Sequence, residues 1–512
     1  MKQEDRLLVA LALTIGILFL WTVLFPAPSP QQRMETARAT AQQVGAIKPQ
    51  LTNPRETTEE LQVGDLKMGV GSIRGGILSL EADGTRMLVN AEPGLLSIRL
   101  VKPVSQEVEL STQKQADALL SESRNLDGLK VTRTIAPSDE GPFFSTVAVA
   151  VVNVSARAQT CQVQILGYHP VYSATLADRR YENGFVSIGG KVHKIRSSAT
   201  ASTVFSGTPS WITAQGRSHT LIVQPMPPIG MFHVEQAPGG AALGWIELPP
   251  QVLAPGEEKR WVFRVYSGPL LLSVLRKAGL EEAFSMGLFS GIAKLLLGIL
   301  LWSEGWLRSY GWSVIFLSVL IWIVFFPVTW SGLRMMKVMG QIQPKLAKIQ
   351  KEHKNNPQKL NQEMMAIYRE HRVNPLSGCL PMLLQMPIFL ALYQVLQRSP
   401  QLRGAAFYGI RDLSAPDAII RFHGPVPIFG ESVNILPLVM AAAMFLQQRF
   451  TSAFQKPVTD EQAAQQQVFK FMPILFCFLF YSLPSGLVLY WVTNTVLTLA
   501  QYTAFSKAYK SS

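Results

Sequence analysis

NPLSGCLPMLLQMPIFLALY, residues 374–393, decides how this chain is built. From Gly378 to Gln397 there is no charged side chain. About 20 residues rising 1.5 Å each cross a hydrocarbon layer of roughly 30 Å, so the run reads as a membrane-spanning helix. Pro381 and Pro387 each remove a backbone donor. Lipid cannot satisfy the carbonyls they free, so neighbouring helices, side chains or water must do so. A helix with Gln385 in its middle and two prolines belongs in a bundle.

Working outward, the 512 residues are 48% hydrophobic and 16% charged, with the apolar part concentrated in blocks. Uncharged stretches fall near 7–25, 312–332, 378–397, 435–448, 471–483 and 487–505, giving six expected spans. The segment 333–376 carries nine basic and three acidic residues, a net +6, which marks it as cytoplasmic by the positive-inside rule. Six spans then put both termini in the cytoplasm and the long region 27–285 on the outer face. The first span is long for a signal-peptide core, ends in Trp21 and Phe25 and has no convincing A-x-A site, so it reads as an uncleaved anchor. Only Cys161 of the three cysteines falls in the outer region, so no intramolecular disulfide is expected. Nearly half of the formal +13 lies in one cytoplasmic loop, which favours orientation and a cytoplasmic partner over nucleic acid binding.

The expected organisation is an N-terminal transmembrane anchor (1–26), a flexible linker (27–58) rich in Pro, Gln, Thr and Ala, and an outer β-sandwich domain (59–285). Runs such as LKVTRTIA at 129–136, FSTVAVAVVNV at 144–154 and RWVFRVYSG at 260–268 carry the β signal. GVGSIRGGILSL at 69–80 lacks the helix and downstream acid of a dinucleotide site and reads as a glycine-rich hairpin or bulge. His169, His193, His219 and His233 lack metal-ligand spacing, and there is no paired carboxylate or G-x-S-x-G. Neither a catalytic residue, a metal nor a cofactor is expected. Residues 286–306 follow as an interfacial amphipathic helix interrupted by Lys294, for which a seventh span is the competing reading. A core of five spans (307–512) completes the chain.

Inside 333–376, Met335, Val338, Met339, Ile342, Leu346 and Ile349 recur at helical spacing, and Leu360, Met364, Ile367 and Tyr368 form a second stripe. HKNNPQK between them supplies a break, so two amphipathic helices should pair as a basic hairpin. Lys345, Lys348, Lys351, Lys354, Lys359, Arg369 and Arg372 would face out as a docking surface for an anionic partner, beyond their role as a topology signal. The five C-terminal spans contain no Asp, Glu, Lys, Arg or His, which disfavours a proton-coupled or ion-coupled transporter. What they hold is uncharged polarity, in Ser318, Gln385, Trp491, Thr493 and Asn494, beside methionines and phenylalanines. Such polar groups either bond helices together or line a wet cavity.

QPK at 343–345, QEMMAIYREHRVNPLSGCLPMLLQMPIF at 362–389, RDLSAPD at 411–417 and FMPILFCFLFYSLPSGLVLYWVTN at 471–494 resemble the YidC/Oxa1/Alb3 family of membrane protein insertases. The large outer domain after an N-terminal span is similar to the Gram-negative YidC form. The resemblance implies a polytopic α-helical membrane protein of six transmembrane helices, with a five-helix insertase core and a periplasmic β-sandwich, in the bacterial inner membrane. It implies a non-enzymatic insertase and chaperone. Nascent hydrophobic segments would enter a hydrophilic groove lined by Ser318, Trp322, Gln385, Trp491, Thr493 and Asn494. They would then pass to lipid along an apolar slide of Met382, Met386, Phe389, Met472 and Phe476. Partners implied are nascent membrane proteins, the Sec translocon, ribosomes, signal-recognition components and lipids, with no DNA.

One position departs from the family pattern. Members typically carry an arginine in the second span, five residues before its proline; counting back from Pro327 gives Trp322. This chain would then rely on hydration and uncharged polarity at that point. Two other classes stay in view: a small-molecule transporter, and an envelope carbohydrate-binding protein acting through its β-sandwich.

Overall fold

A computed structural model describes residues 58–510, apart from the short segments 64–65, 72–76, 83–84, 89–94, 103–105, 116, 171–181, 196–202, 237–241, 287–288, 354–355, 372–379, 427–429 and 453–459. The expected anchor (1–26) and all but the last residue of the expected linker lie outside the described residues. The chain divides into two compact units, 1–283 and 284–512.

The first unit is built on a nine-stranded and a seven-stranded antiparallel sheet. The larger runs in the order Lys191–Ile195, Asn183–Ile188, Pro209–Gln215, His219–Met226, Glu258–Pro269, Phe144–Asn153, Leu129–Pro137, Ala118–Ser123, Leu110–Gln115. The smaller is centred on Gln159–Tyr168, flanked by Ala242–Glu247 and Ile98–Lys102. Strand Leu129–Pro137 shows how alternation selects a face: Leu129, Val131 and Ile135 are buried while Lys130, Thr132 and Thr134 point outward. Val147 stands opposite Ile135 on one side and Phe263 on the other. These side chains share one apolar core with Ile98, Val163, Ile165, Phe232 and Ile246 from the second sheet, which makes the unit a β-sandwich. A separate four-stranded meander, Thr58–Val63, Leu66–Gly71, Ile77–Ala82 and Thr85–Leu88, contains the glycine-rich segment as a hairpin pair. Asn183–Ile188 and Lys191–Ile195 are joined by Gly189 and Gly190, at φ 57° and 75°, the left-handed pair that a tight hairpin turn requires.

One member of the alternating stripe breaks the apolar rule. Arg133 is fully buried on the core face, where its guanidinium donates to Leu96 O at 3.1 Å and Ser121 Oγ at 3.2 Å. Ser121 is in turn bonded to Thr112 Oγ1 at 2.9 Å. Burial pushes the Arg133 pKa down to about 9.

The second unit is helical: α1 (Ser290–Leu307), α2 (Tyr310–Glu352), α3 (Pro357–Glu370), α4 (Leu380–Arg398), α5 (Leu436–Ser452), α6 (Asp460–Phe480) and α7 (Ser485–Lys510). The expected second span and the first helix of the basic hairpin are one continuous helix, α2, of 43 residues with Pro327 and Pro344 inside it. At 1.5 Å per residue it is about 65 Å long, far more than one hydrocarbon thickness. The HKNNPQK break is a helix start: Asn356 Oδ1 accepts from Lys359 N at 3.1 Å and Pro357 occupies the first position. Pro387 lies inside α4, whereas Pro381 falls in its first turn, where a missing donor leaves no intrahelical bond broken. Among the described residues two helices, α1 and α2, are long and apolar enough to cross a membrane on length and composition alone. The count of six spans therefore rests on the sequence, and α1, placed along the interface by the sequence, is long enough for the competing reading.

Candidate functional site in the helical unit

Three layers of contact organise the helical unit. At the end where α2, α5 and α7 begin, the loop 411–418 is threaded across helix starts. Asp417, 3% exposed, accepts from Ile435 N at 2.7 Å and Leu436 N at 2.8 Å through Oδ2, capping α5 from a distant segment. Asn434 accepts from Ala418 N at 2.9 Å and donates through Nδ2 to Tyr481 O at 2.6 Å. The Tyr481 hydroxyl accepts from Asn434 N and donates to Ser432 O. Ser485 N and Gly486 N donate to Ala415 O and Leu413 O, at 2.7 and 3.0 Å, tying the loop to α7. A Cβ on Gly486 would stand 2.9 Å from Leu396 and 3.0 Å from the Leu413 carbonyl, so only glycine permits this approach.

In the middle layer the uncharged polar residues are distributed between two uses. Gln385 on α4 donates to the hydroxyl of Tyr490 on α7, which is fully buried. Thr329 on α2 pairs with Gln501 on α7, with contacts of 3.0 and 3.2 Å. Each pair holds two helices together. By contrast Ser318, Thr493 and Asn494 spend a donor on their own helix, to Val314 O, Leu489 O and Tyr490 O at 2.7, 2.8 and 3.1 Å. Ser318 is fully buried, whereas Thr493 and Asn494 are half-buried. The half-buried Trp322 ring meets Phe326 at 5.2 Å, and its Nε1 is buried with no hydrogen-bond partner.

Of the expected slide, Phe389 and Phe476 join Phe480 and Trp491 in one aromatic cluster with centroids 5.1 to 5.6 Å apart. Phe389 is only 2% exposed and therefore serves this cluster as packing. Met386 is exposed and Met472 half-buried; the Met382 side chain lies outside the description. Sequence reasoning missed Tyr490, Thr329 and the loop carboxylate Asp417. Tyr490 and Asp417 sit in quoted stretches, but their partners are more than a dozen residues away.

The basic hairpin closes on Ile342, Leu346, Ile367 and Tyr368, with Met335, Val338, Met339, Ile349 and Met364 around them. Both sequence stripes meet there. Lys345, Lys348, Lys351, Lys359 and Arg369 are exposed, while Lys354 and Arg372 lie outside the described residues. Lys345 Nζ stands 3.4 Å from His371 Nε2, and Lys348 reaches Glu352 at 4.0 Å.

In the β-sandwich, the polar group most like a sugar site is closed on itself. Arg99 lies 4.1 Å over the Trp245 ring and bonds Glu235 at 3.2 Å, covering the indole face on which a sugar would stack. Glu247 accepts from Gln162 and Gln164 at 2.5 and 3.3 Å, with His233 at 3.9 Å. Burial holds His233 below its usual pKa against the pull of Glu247 and Glu235.

A helical unit with two described helices long and apolar enough to cross a membrane and an internal seam of uncharged polar bonds, in one chain with a large β-sandwich, has the build of a membrane protein with a folded β domain. Residues 302–512 match the model of the family described as 60Kd inner membrane protein. The chain is 39% identical over 295 residues to a protein named membrane protein insertase YidC from Cupriavidus pinatubonensis, covering 57% of this chain and 48% of that one. It thus spans about half the length of that relative. A YidC insertase from Geotalea daltonii aligns over 99% of both chains at 27% identity. Among solved structures, an active YidC insertase with its first transmembrane domain resolved covers 90% of this chain and 98% of its own, at 17% identity and a TM-score of 0.35. Residues 302–512 thus belong to the family described as 60Kd inner membrane protein, and the chain as a whole is similar to proteins named membrane protein insertase YidC.

Proposed function

We propose that this protein is an inner-membrane insertase that moves nascent hydrophobic segments into the bilayer and assists their folding, alone or beside the Sec translocon. The observation that carries the reading is the middle layer of the helical unit. Polar side chains there are numerous, uncharged and partly bonded only to their own helices, as in Ser318, Thr493 and Asn494. A polar flank in bare hydrocarbon costs several kcal/mol for each unsatisfied group, and a hydrated seam lowers that barrier. Burial of the client's apolar segment in lipid then drives release without a nucleotide.

In this reading six helices cross the membrane, both termini are cytoplasmic and the β-sandwich is periplasmic. Ser318, Trp322, Gln385, Trp491, Thr493 and Asn494 border the groove, and Met386 and Met472 offer adaptable apolar surface on the way to lipid. The exposed Lys345, Lys348, Lys351, Lys359 and Arg369 receive the ribosome or a signal-recognition component by charge. The test is depletion in the native host, followed by protease accessibility of newly made small membrane proteins with short outer tails. Tails trapped inside while soluble export continues support an insertase. Unchanged insertion with altered solute uptake or envelope glycan composition overturns it.

A further inference from the structure

Trp322 holds an open donor in a layer where the neighbouring polar side chains have found acceptors. Ser318, Thr493 and Asn494 donate to main-chain carbonyls, while Gln385 and Gln501 donate to side-chain hydroxyls on other helices. Trp322 Nε1 is buried and donates to nothing among the described residues. Among the described residues of the helical unit, the other neutral side-chain atom in this condition, Gln394 Oε1, is an acceptor four residues from the end of α4, while in the β-sandwich the indole nitrogens of Trp245 and Trp261 share it. Trp322 is instead about 18 Å into α2, among the side chains that border the proposed groove. Its stripe on α2 leads to α7: the ring meets Phe326 at 5.2 Å, Phe326 stacks on Trp330 at 5.5 Å, and Trp330 meets Phe505 at 5.2 Å. Seven residues on, at the same helical face, Thr329 bonds Gln501. An indole N–H is a donor only, so it can be completed only by an acceptor brought to it.

We propose that the Trp322 N–H is kept for the client: it donates to a carbonyl oxygen in the polar flank or main chain of the segment entering beside α2. This rests on the insertase reading and adds to it a neutral, acceptor-seeking contact that needs no acidic residue in the client. The donor is covered at rest, so the contact forms as the arriving segment parts the side chains around it.

The experiment uses the full-length protein in proteoliposomes, with a single-span client bearing either a neutral or an acidic short tail. Trp322→Phe keeps an aromatic ring and removes the N–H; Trp322→Gln restores donors without the ring. The expected result is insertion of the neutral-tailed client about three- to tenfold slower with Trp322→Phe, the worth of one neutral hydrogen bond, and partial recovery with Trp322→Gln. Thermal unfolding of each variant separates this from loss of fold. Trp322→Phe inserting both clients at the wild-type rate overturns the proposal, as does Trp322→Gln no faster than a less stable Trp322→Phe. A wild-type to Trp322→Phe ratio that falls to one in ether-linked lipid assigns the acceptor to lipid ester carbonyls, and also overturns it. If the wild-type protein inserts neither client, the insertase reading itself fails, a result distinct from wild-type activity unaffected by the substitution.

Discussion

Replacing Asp417 with alanine removes the acceptor shared by the Ile435 and Leu436 backbone N–H groups. Ile435 immediately precedes α5 and Leu436 opens it, so neither N–H has an intrahelical acceptor, and Asp417 is 3% exposed. A buried N–H left unpaired costs about 1–3 kcal/mol, and loss of the favourable charge at a helix N-terminus adds roughly 0.5–1 kcal/mol. Partial entry of water recovers some of this, so Asp417→Ala should destabilise the helical unit by about 3 kcal/mol. Asp417→Asn keeps an oxygen acceptor and loses only the charge, which sets its cost nearer 1 kcal/mol. Detergent-to-SDS unfolding of the full-length protein, followed by tryptophan fluorescence and helicity, measures both. The order expected is wild type, then Asn, then Ala. Equal stability of Asp417→Ala and wild type would refute the view that this carboxylate pins the loop to α5.

Three further outcomes follow from the same geometry. Tyr490→Phe removes the acceptor of Gln385 and should destabilise the bundle by about 0.5–1.5 kcal/mol, with little further loss in the double variant with Gln385→Leu; additive losses in the unfolding assay would mean the two do not interact. Arg133→Met should stabilise the β-sandwich by about 1–2 kcal/mol at neutral pH, because a buried cation without a carboxylate gives way to an apolar side chain of similar reach. Burial holds the folded pKa, about 9, well below that of the free side chain, so the folded state sheds this proton first. Wild-type stability should then rise relative to Arg133→Met as pH climbs through 9, and thermal unfolding with a flat difference between pH 7 and 10 contradicts this. Finally, exchanging Lys345, Lys348 and Lys351 for glutamate should weaken ribosome binding at low salt by about tenfold, leaving the unfolding midpoint unchanged, because these side chains stand outside the hairpin core. Unchanged sedimentation with ribosomes would remove the docking role.

Local pattern carried a large part of the architecture. The stripe from Met335 to Ile349 and the one from Leu360 to Tyr368 meet in the hairpin core because helical period alone fixes which side chains share a face. Alternation did the same for Leu129–Pro137. Where two local rules conflict, the pattern is ambiguous. Uncharged composition ended the second span near residue 332, yet α2 continues through Pro327 and Pro344 and does not stop there. Arg133 sits in register with Leu129, Val131 and Ile135, so periodicity assigns it to the core while chemistry assigns it to the surface; the Leu96 carbonyl and Ser121 hydroxyl resolve the conflict in favour of the core. At the candidate site, residue type indicated that Gln385 and Asn494 lie among apolar helices. It could not indicate that one bonds Tyr490, 105 positions away, and the other its own helix. Bonds of that separation, like those of Asp417, are set by packing.

The central claim is that the helical unit receives a client segment beside α2, α4 and α7. A photoreactive residue at Asn494, compared with one at the exposed Val439 of α5, tests it on ribosomes arrested with a client span just emerged. The account predicts a client adduct from position 494 that disappears once the chain is released into lipid, and none above background from position 439. No adduct from 494, or equal capture at both positions before and after release, would contradict it.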